Sequence, residues 1–271
     1  MIKAILWDVD GTLAETERDG HLVAFNEAFE ALGLPWRWSE ERYGELLAVA
    51  GGRERLVHDM QAHHGRAPTD PHRRHALAER VHKVKNEFYA RIVASGQVPL
   101  REGVGELLEE CGRAGVRMGI VTTTSRSNVE ALLRTHLGKD WESKFATVVC
   151  AREAPIKKPH PQAYLLALEA LKLHPHESVA IEDAPAGVAA AQAAGIPVIV
   201  THSHYFPATL AQGALAVGPS LGLCEGWRPT ADADTSRIGL GQLIRWYAHS
   251  SWAQEPTRSL GAARARTMAS A

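Results

Sequence analysis

From Val98 onward the sequence alternates short, β-branched apolar runs with longer stretches of helical period, and this alternation constrains the fold more than any other feature. Strands are expected at Arg117 to Val121, Ala146 to Cys150, Val179 to Ile181, Val198 to Val200 and Leu215 to Val217. Helices are expected between them, around Gly105 to Gly112, at 161 to 172 and at 186 to 194. Such alternation demands crossover connections, and so a mostly parallel sheet with helices on both faces. Lys3 to Trp7 reads as one more buried strand, but the chain after it breaks the pattern. Val23, Phe25, Phe29 and Leu32 recur at helical spacing up to Gly33, and residues 39 to 95 stay helical in character. The reading is an α/β core made of residues 1–16 and 97–225, with a helical domain inserted at 17–96. Residues 226–252 form an extension in which Leu240 to Tyr247 makes a short amphipathic helix. Residues 253–271, poor in large apolar groups and rich in Arg, Ser and Ala, are expected to be disordered.

The 271 residues suffice for a substantial core. The balance of 30 Lys and Arg against 31 Asp and Glu gives no general attraction to nucleic acid or to an anionic membrane. The 14 His are scattered, and His63-His64, His202 and His204 read as surface or loop residues rather than zinc ligands. Cys111, Cys150 and Cys224 are an odd, widely spaced set that suits a reducing compartment. The chain starts on a strand rather than a signal-like segment, and no apolar stretch reaches membrane-span length. The expectation is a soluble, cytoplasmic protein.

Polar residues gather where strands end, which is where open α/β sheets bind ligands. After Ile5-Leu6-Trp7 come Asp8 and Asp10, followed by Gly11-Thr12. Residues two apart in an extended segment point the same way, so both carboxylates reach one space beyond the strand. Their repulsion favours a shared cation or a division of roles with shifted pKa values. Three further segments follow: Thr122-Thr123-Thr124-Ser125-Arg126, Lys157-Lys158-Pro159-His160-Pro161, and Glu182-Asp183-Ala184-Pro185-Ala186-Gly187. Each alone has a plain reading: a hairpin turn at Asp-Gly, a helix cap at the hydroxyl run, solvated lysines, and a capping acid pair. Four together at successive strand ends are far more specific.

These four segments, in this order, resemble the haloacid dehalogenase-like phosphohydrolase superfamily, over roughly residues 1 to 225. Ala14-Glu15-Thr16-Glu17, Gly51-Gly52-Arg53-Glu54-Arg55 and Thr122 to Asn128 resemble its CbbY branch, close to β-phosphoglucomutase and phosphoglycolate phosphatase. Trp7 stands where relatives often carry Phe. The resemblance implies a Rossmann-like core with a helical cap. It implies Asp8 as nucleophile, since a carboxylate can accept a phosphoryl group, and Asp10 as general acid/base. Thr123, with Thr122 beside it, would bond a phosphate oxygen, and Thr124, Ser125 and Arg126 would continue that contact. Lys158, with Lys157 the neighbouring candidate, would neutralise phosphate and nucleophile. Mg²⁺ would be held by the side chains of Asp8 and Asp183 and the backbone carbonyl of Asp10, with Glu182 ligating directly or through water.

The cap would select the substrate. Glu17 would meet sugar hydroxyls, with His21 one helical turn on. The Gly51, Gly52, Arg53, Glu54, Arg55 loop would offer amides and guanidiniums to a second phosphate. Lys85 resembles a cap lysine of the β-phosphoglucomutase relatives. A solvated helix face and a plain turn are the alternatives at these positions. The expected activity is Mg²⁺-dependent hydrolysis of a small phosphorylated sugar through an aspartyl-phosphate, and CbbY-type members act on xylulose 1,5-bisphosphate, an inhibitory by-product of Rubisco. A phosphomutase, a phosphoglycolate phosphatase and a sugar-phosphate-binding protein without turnover are the competing readings. The expected partner is the sugar phosphate, with no nucleic acid and no membrane, and the chain is expected to act as a monomer.

Overall fold

The structure, a computed structural model, describes residues 1–62, 67–208, 212–232 and 236–253. Its centre is a parallel sheet of β1 (Ala4–Trp7), β2 (Arg117–Val121), β3 (Thr147–Val149), β4 (Ser178–Glu182), β5 (Val198–Thr201) and β6 (Ala216–Gly218). The strand order is β3-β2-β1-β4-β5-β6. Trp7 is in register with Ile120 on one side and Ile181 on the other. The segments that leave β1, β2 and β4 therefore start side by side. That register is what turns three distant motifs into neighbours.

Because successive strand residues face opposite sides, the sheet separates two apolar layers. Ile5, Trp7, Ile120 and Ile181 face one layer, formed with α5 (Val104–Arg113) and α6 (Arg126–Leu137). Ala4, Leu6, Val121 and Ala180 face the other, formed with α7 (Gln162–Leu171) and α8 (Pro185–Ala193). Pro185 opens α8, where its missing N–H costs nothing. Ser125 caps α6 by accepting from the Asn128 amide.

Between β1 and α5 lie α1 (Val23–Ala31), α2 (Glu40–Leu46), α3 (Gly52–Ala62) and α4 (Pro71–Ala94). They build a separate apolar cluster around Phe25, Phe29, Trp38, Tyr43, Leu46, Leu56 and Val81. Asp70 caps α4 by accepting from the Arg73 amide at 2.8 Å, with Pro71 at the first helical position. Three details depart from expectation. The expected helix over 17–32 begins as a π-helix, Glu17–Leu22, before α1. Gly20 lies so close to Tyr89 that an added Cβ would come within 2.9 Å of the ring. The expected Gly51–Arg55 loop is instead the start of α3, since Gly51 takes a positive φ of 97° and the helix runs from Gly52.

The third departure concerns the extension. α9 (Leu240–Ala248) buries Leu240, Leu243, Trp246 and Tyr247 in the same cluster as Ile5 and Trp7, and Trp246 stacks on Trp227 at 4.9 Å. A boundary at 225 thus cuts through one continuous apolar layer. His63-His64 and residues 254–271 of the tail lie outside the described residues. Among the described residues no helix is long and apolar enough to cross a membrane.

Candidate active site

The segment after β1 delivers two carboxylates into different surroundings. Asp8 is buried, and its Oδ1 accepts from Lys158 Nζ at 2.6 Å. Burial pushes the Asp8 carboxyl up to about 6, against the opposing pull of Lys158 and with a further push from Asp10. Asp10 Oδ1 accepts from the Thr16 hydroxyl at 2.6 Å and faces His21 Nε2 at 3.1 Å. Its carboxyl is also raised, by burial first, with Thr16 and Lys85 opposing. Gly11 follows with a φ of 88°, and a Cβ there would lie 2.1 Å from Asp183 Oδ2. Only glycine allows the loop to pass so close to that carboxylate.

Of the two adjacent lysines, Lys158 turns inward. Its ammonium donates to Asp8 Oδ1 and Glu182 Oε1, both at 2.6 Å, and to the Val121 carbonyl at 2.9 Å. Burial opposes its charge, but Asp8 and Glu182 more than compensate and hold its pKa above the ordinary value. Lys157 turns the other way and pairs with Glu54 of α3 at 2.5 Å. Of the hydroxyl run, Thr122 is buried and accepts from the Thr124 amide at 3.1 Å, whereas Thr123, Thr124 and Ser125 line the cavity. Arg126 departs from its expected role. It leaves the cavity for Glu142, at 2.6 Å on an exposed surface, because it is already the first residue of α6.

Asp8, Glu182 and Asp183 bring carboxylate oxygens within 4.8 Å of one another, all buried. Burial, reinforced by Asp8, holds the Asp183 carboxyl well above its usual range. Glu182 is pushed up to about 7 by burial, with Lys158 opposing and Asp8 adding. Of the three buried carboxylates, the Lys158 ammonium bonds Asp8 and Glu182, while Asp183 accepts from the Thr12 hydroxyl. A hard divalent cation on these oxygen donors would balance the charge, so the donor set fits such an ion. Glu182 Oε1 already accepts from both Lys158 and the Tyr164 hydroxyl. The Asp10 carboxylate, turned to Thr16 and His21, stands outside this group.

Beside these groups lies a cavity of about 290 Å³, lined on one side by Asp10, Thr123, Thr124, Ser125, Asn128 and Lys157. From the helical layer come Glu17, His21, Gly51, Gly52, Arg53, Glu54, Arg55, His82 and Lys85. His21 stacks on Tyr89 at 4.3 Å and meets Lys85 Nζ at 2.8 Å through Nδ1. Burial, aided by Lys85, keeps His21 well below its usual range and therefore neutral. His82 is likewise pushed down to about 3 by burial, with Lys85 and Arg53 adding to the effect.

Arg55 also differs from expectation. It is buried and donates to the Leu46 carbonyl at 3.1 Å and to the Tyr43 hydroxyl at 2.8 Å, while Tyr43 donates to Glu17. Its guanidinium is thus committed to holding Glu17 in place. Arg53 remains half exposed, 3.8 Å from Glu79. Sequence reasoning passed over Tyr43, Tyr164, Thr16 and Asn128 as contact groups. Asn128 was within reach, since it sits one helical turn after Thr124 and donates to its hydroxyl at 3.2 Å. The tyrosines carry no local signal.

The family model for haloacid dehalogenase-like hydrolase matches residues 2–195. The chain belongs to the haloacid dehalogenase-like hydrolase family. Within it, the chain is 43% identical over 226 residues to the plasmid-encoded protein CbbY of Cupriavidus necator, covering 82% of this chain and 86% of that one. A crystal structure of CbbY from Rhodobacter sphaeroides in complex with phosphate superposes with a TM-score of 0.73 at 41% identity, covering 79% of this chain and 92% of that one. A variant of the same protein in complex with xylulose 1,5-bisphosphate gives a TM-score of 0.76 at 39% identity, with 83% and 97% covered. The chain thus shares its overall fold with these CbbY structures.

Proposed function

We propose that this chain is a Mg²⁺-dependent phosphatase of small phosphorylated sugars, with xylulose 1,5-bisphosphate as its substrate. The observation that carries this reading is the ammonium of Lys158, shared at 2.6 Å by Glu182 and by Asp8, two residues along from Asp10, which lines the cavity. A buried cation on a buried carboxylate holds that carboxylate ready as a nucleophile and screens it from an approaching phosphoryl group. The substrate choice is supported by the CbbY variant bound to xylulose 1,5-bisphosphate. The core of 1–16 and 97–225, with α9 packed into its apolar layer, would carry the chemistry, and the helices of 17–96 would act as the cap.

Asp8 attacks phosphorus as the bond to the sugar oxygen breaks, and Asp10 gives its proton to that oxygen. The raised pKa of Asp10 keeps this proton available. Water then attacks the acyl phosphate, Asp10 takes the water proton, and the Asp8 carboxylate is restored as phosphate leaves. Thr123 donates to a phosphoryl oxygen and Lys158 neutralises charge at Asp8. The groups that would hold Mg²⁺ are Asp8, Asp183 and the Asp10 carbonyl, with Glu182 beside them, and the ion would supply positive charge to the phosphoryl oxygens. Glu17, set by Tyr43 and Arg55, faces the sugar hydroxyls. Arg53 and the α3 start face the second phosphate. The buried thiols of Cys111 and Cys150, both pushed up to about 12 by burial, are unreactive and take no part in this chemistry.

The test is phosphate release from xylulose 1,5-bisphosphate, ribulose 1,5-bisphosphate, phosphoglycolate and β-glucose 1-phosphate, with and without Mg²⁺. Preference for xylulose 1,5-bisphosphate is expected, and Asp8→Asn removes turnover. Preference for phosphoglycolate, or an isomeric sugar phosphate as product, overturns the substrate reading. Full activity in Asp8→Asn overturns the mechanism.

A further inference from the structure

We propose that Arg101 is a positioning residue of this active site, a clamp that sets the loop between Asp10 and Thr12 against the rim of the sheet. Arg101 lies where the chain returns from the helical layer to the core, just before α5. Its guanidinium donates to the carbonyl of Gly11, the residue after Asp10, and to Thr201 Oγ1 at 3.1 Å. It also donates to the carbonyls of His202 and Pro219, the latter at 3.1 Å, and pairs with Glu15 at 3.4 Å through Nε. Its backbone amide donates to the Leu13 carbonyl at 2.8 Å, and Leu100 bridges to Ala14. One nearly buried side chain therefore ties together the turn after β1, the end of β5, the segment after β6, and Glu15 on the segment that enters the helical layer.

The consequence for chemistry follows from what the turn carries. Asp10 is held by Thr16 and His21, which lie beyond the clamped turn, and Thr12 donates to Asp183 Oδ1 at 3.3 Å. A shift of Gly11 moves the proton donor and loosens a contact of the carboxylate group at once. Arginine suits this task because its planar fork presents five N–H donors, whereas an ammonium has three and no fixed plane. The role rests on the phosphatase reading only for its effect on turnover, not for the clamp itself.

The test uses Arg101→Lys and Arg101→Ala in the full chain, with p-nitrophenyl phosphate and xylulose 1,5-bisphosphate as substrates. Arg101→Lys should fold and lose about tenfold to hundredfold in kcat, since misplacement of about 1 Å costs that order. KM should stay within about threefold, because the groups facing the sugar are untouched. Added guanidinium ion should restore part of the kcat of Arg101→Ala, a rescue that general loss of stability would not show. Amide hydrogen exchange should quicken at residues 11–14 more than elsewhere. Wild-type kcat in Arg101→Lys, or a loss of kcat with unchanged exchange at 11–14, overturns the proposal. If the wild-type chain turns over no phosphate ester, the phosphatase reading falls, and the exchange measurement still decides the clamp.

Discussion

At Lys85, burial works against an ammonium whose direct partners are the neutral ring of His21, the Asn86 side chain, and the faces of Phe25 and Tyr89. Burial lowers its pKa to about 7, against the pull of Glu17 and Asp10, from an ordinary 10.5. Below about pH 7 the folded chain carries the charge and its full burial cost. Between there and about 10.5 the folded state gives up the proton while the unfolded state keeps it, so stability rises with pH. The slope cannot exceed about 1.4 kcal/mol per pH unit. Lys85→Met has no such group, so its stability advantage over wild type should shrink from about pH 7 to about pH 9.5 in urea titrations. A constant difference across that range would show that Lys85 does not titrate there. His21 and Lys85 could each be singled out in the sequence, but their contact spans 64 positions and needed the fold.

The first turn of α3 shows the same division among elements. Gly51 and Gly52 mark a turn in the sequence, and the turn exists. Gly51 makes it tight enough that a Cβ would fall 2.0 Å from Lys157 Nζ. This close approach allows Glu54 to reach Lys157 and join the helical layer to the loop before Lys158. Glu54→Gln should weaken that closure. A partly exposed pair contributes at most about 1 kcal/mol, so KM should rise by no more than about fivefold with kcat retained. The effect should fade at high salt. An unchanged KM at low salt would mean that the pair does not help hold the cavity closed. Local signals also fail at the start of the helical layer, where Gly20 against Tyr89 accompanies π winding that periodicity alone reads as α-helix.

Over the whole molecule, the two faces of the sheet follow from the period of the strands, but the membership of each layer does not. α9 reads as an appended helix, yet Trp246 packs on Trp227 in the layer that covers Ile5 and Trp7. Among the described residues Trp246 Nε1 has no hydrogen-bond partner, so its contribution there is packing. Trp246→Ala should therefore cost about 3 kcal/mol or more, read from urea unfolding. A loss under about 1 kcal/mol would mean that α9 is peripheral after all. Its amphipathic pattern was legible, but a pattern shows only that a face must be covered, not which face covers it.

By itself the sequence determined the parallel α/β plan, the helical insertion after β1, and the polar segments that follow β1, β2 and β4, whereas the Lys157 to Pro161 segment, expected at a strand end, starts eight residues past β3. Those features are local: side-chain period and residue type within a few positions set them. Tertiary structure alone decided which of Lys157 and Lys158 meets Asp8, that Arg55 turns inward to Tyr43 while Arg126 turns out to Glu142, and that Arg101 clamps the turn after Asp10. Each of these depends on partners brought from other elements, up to 150 positions away for Lys158 and Asp8. The register of β1 between β2 and β4 makes those partners neighbours, and only the folded chain sets that register.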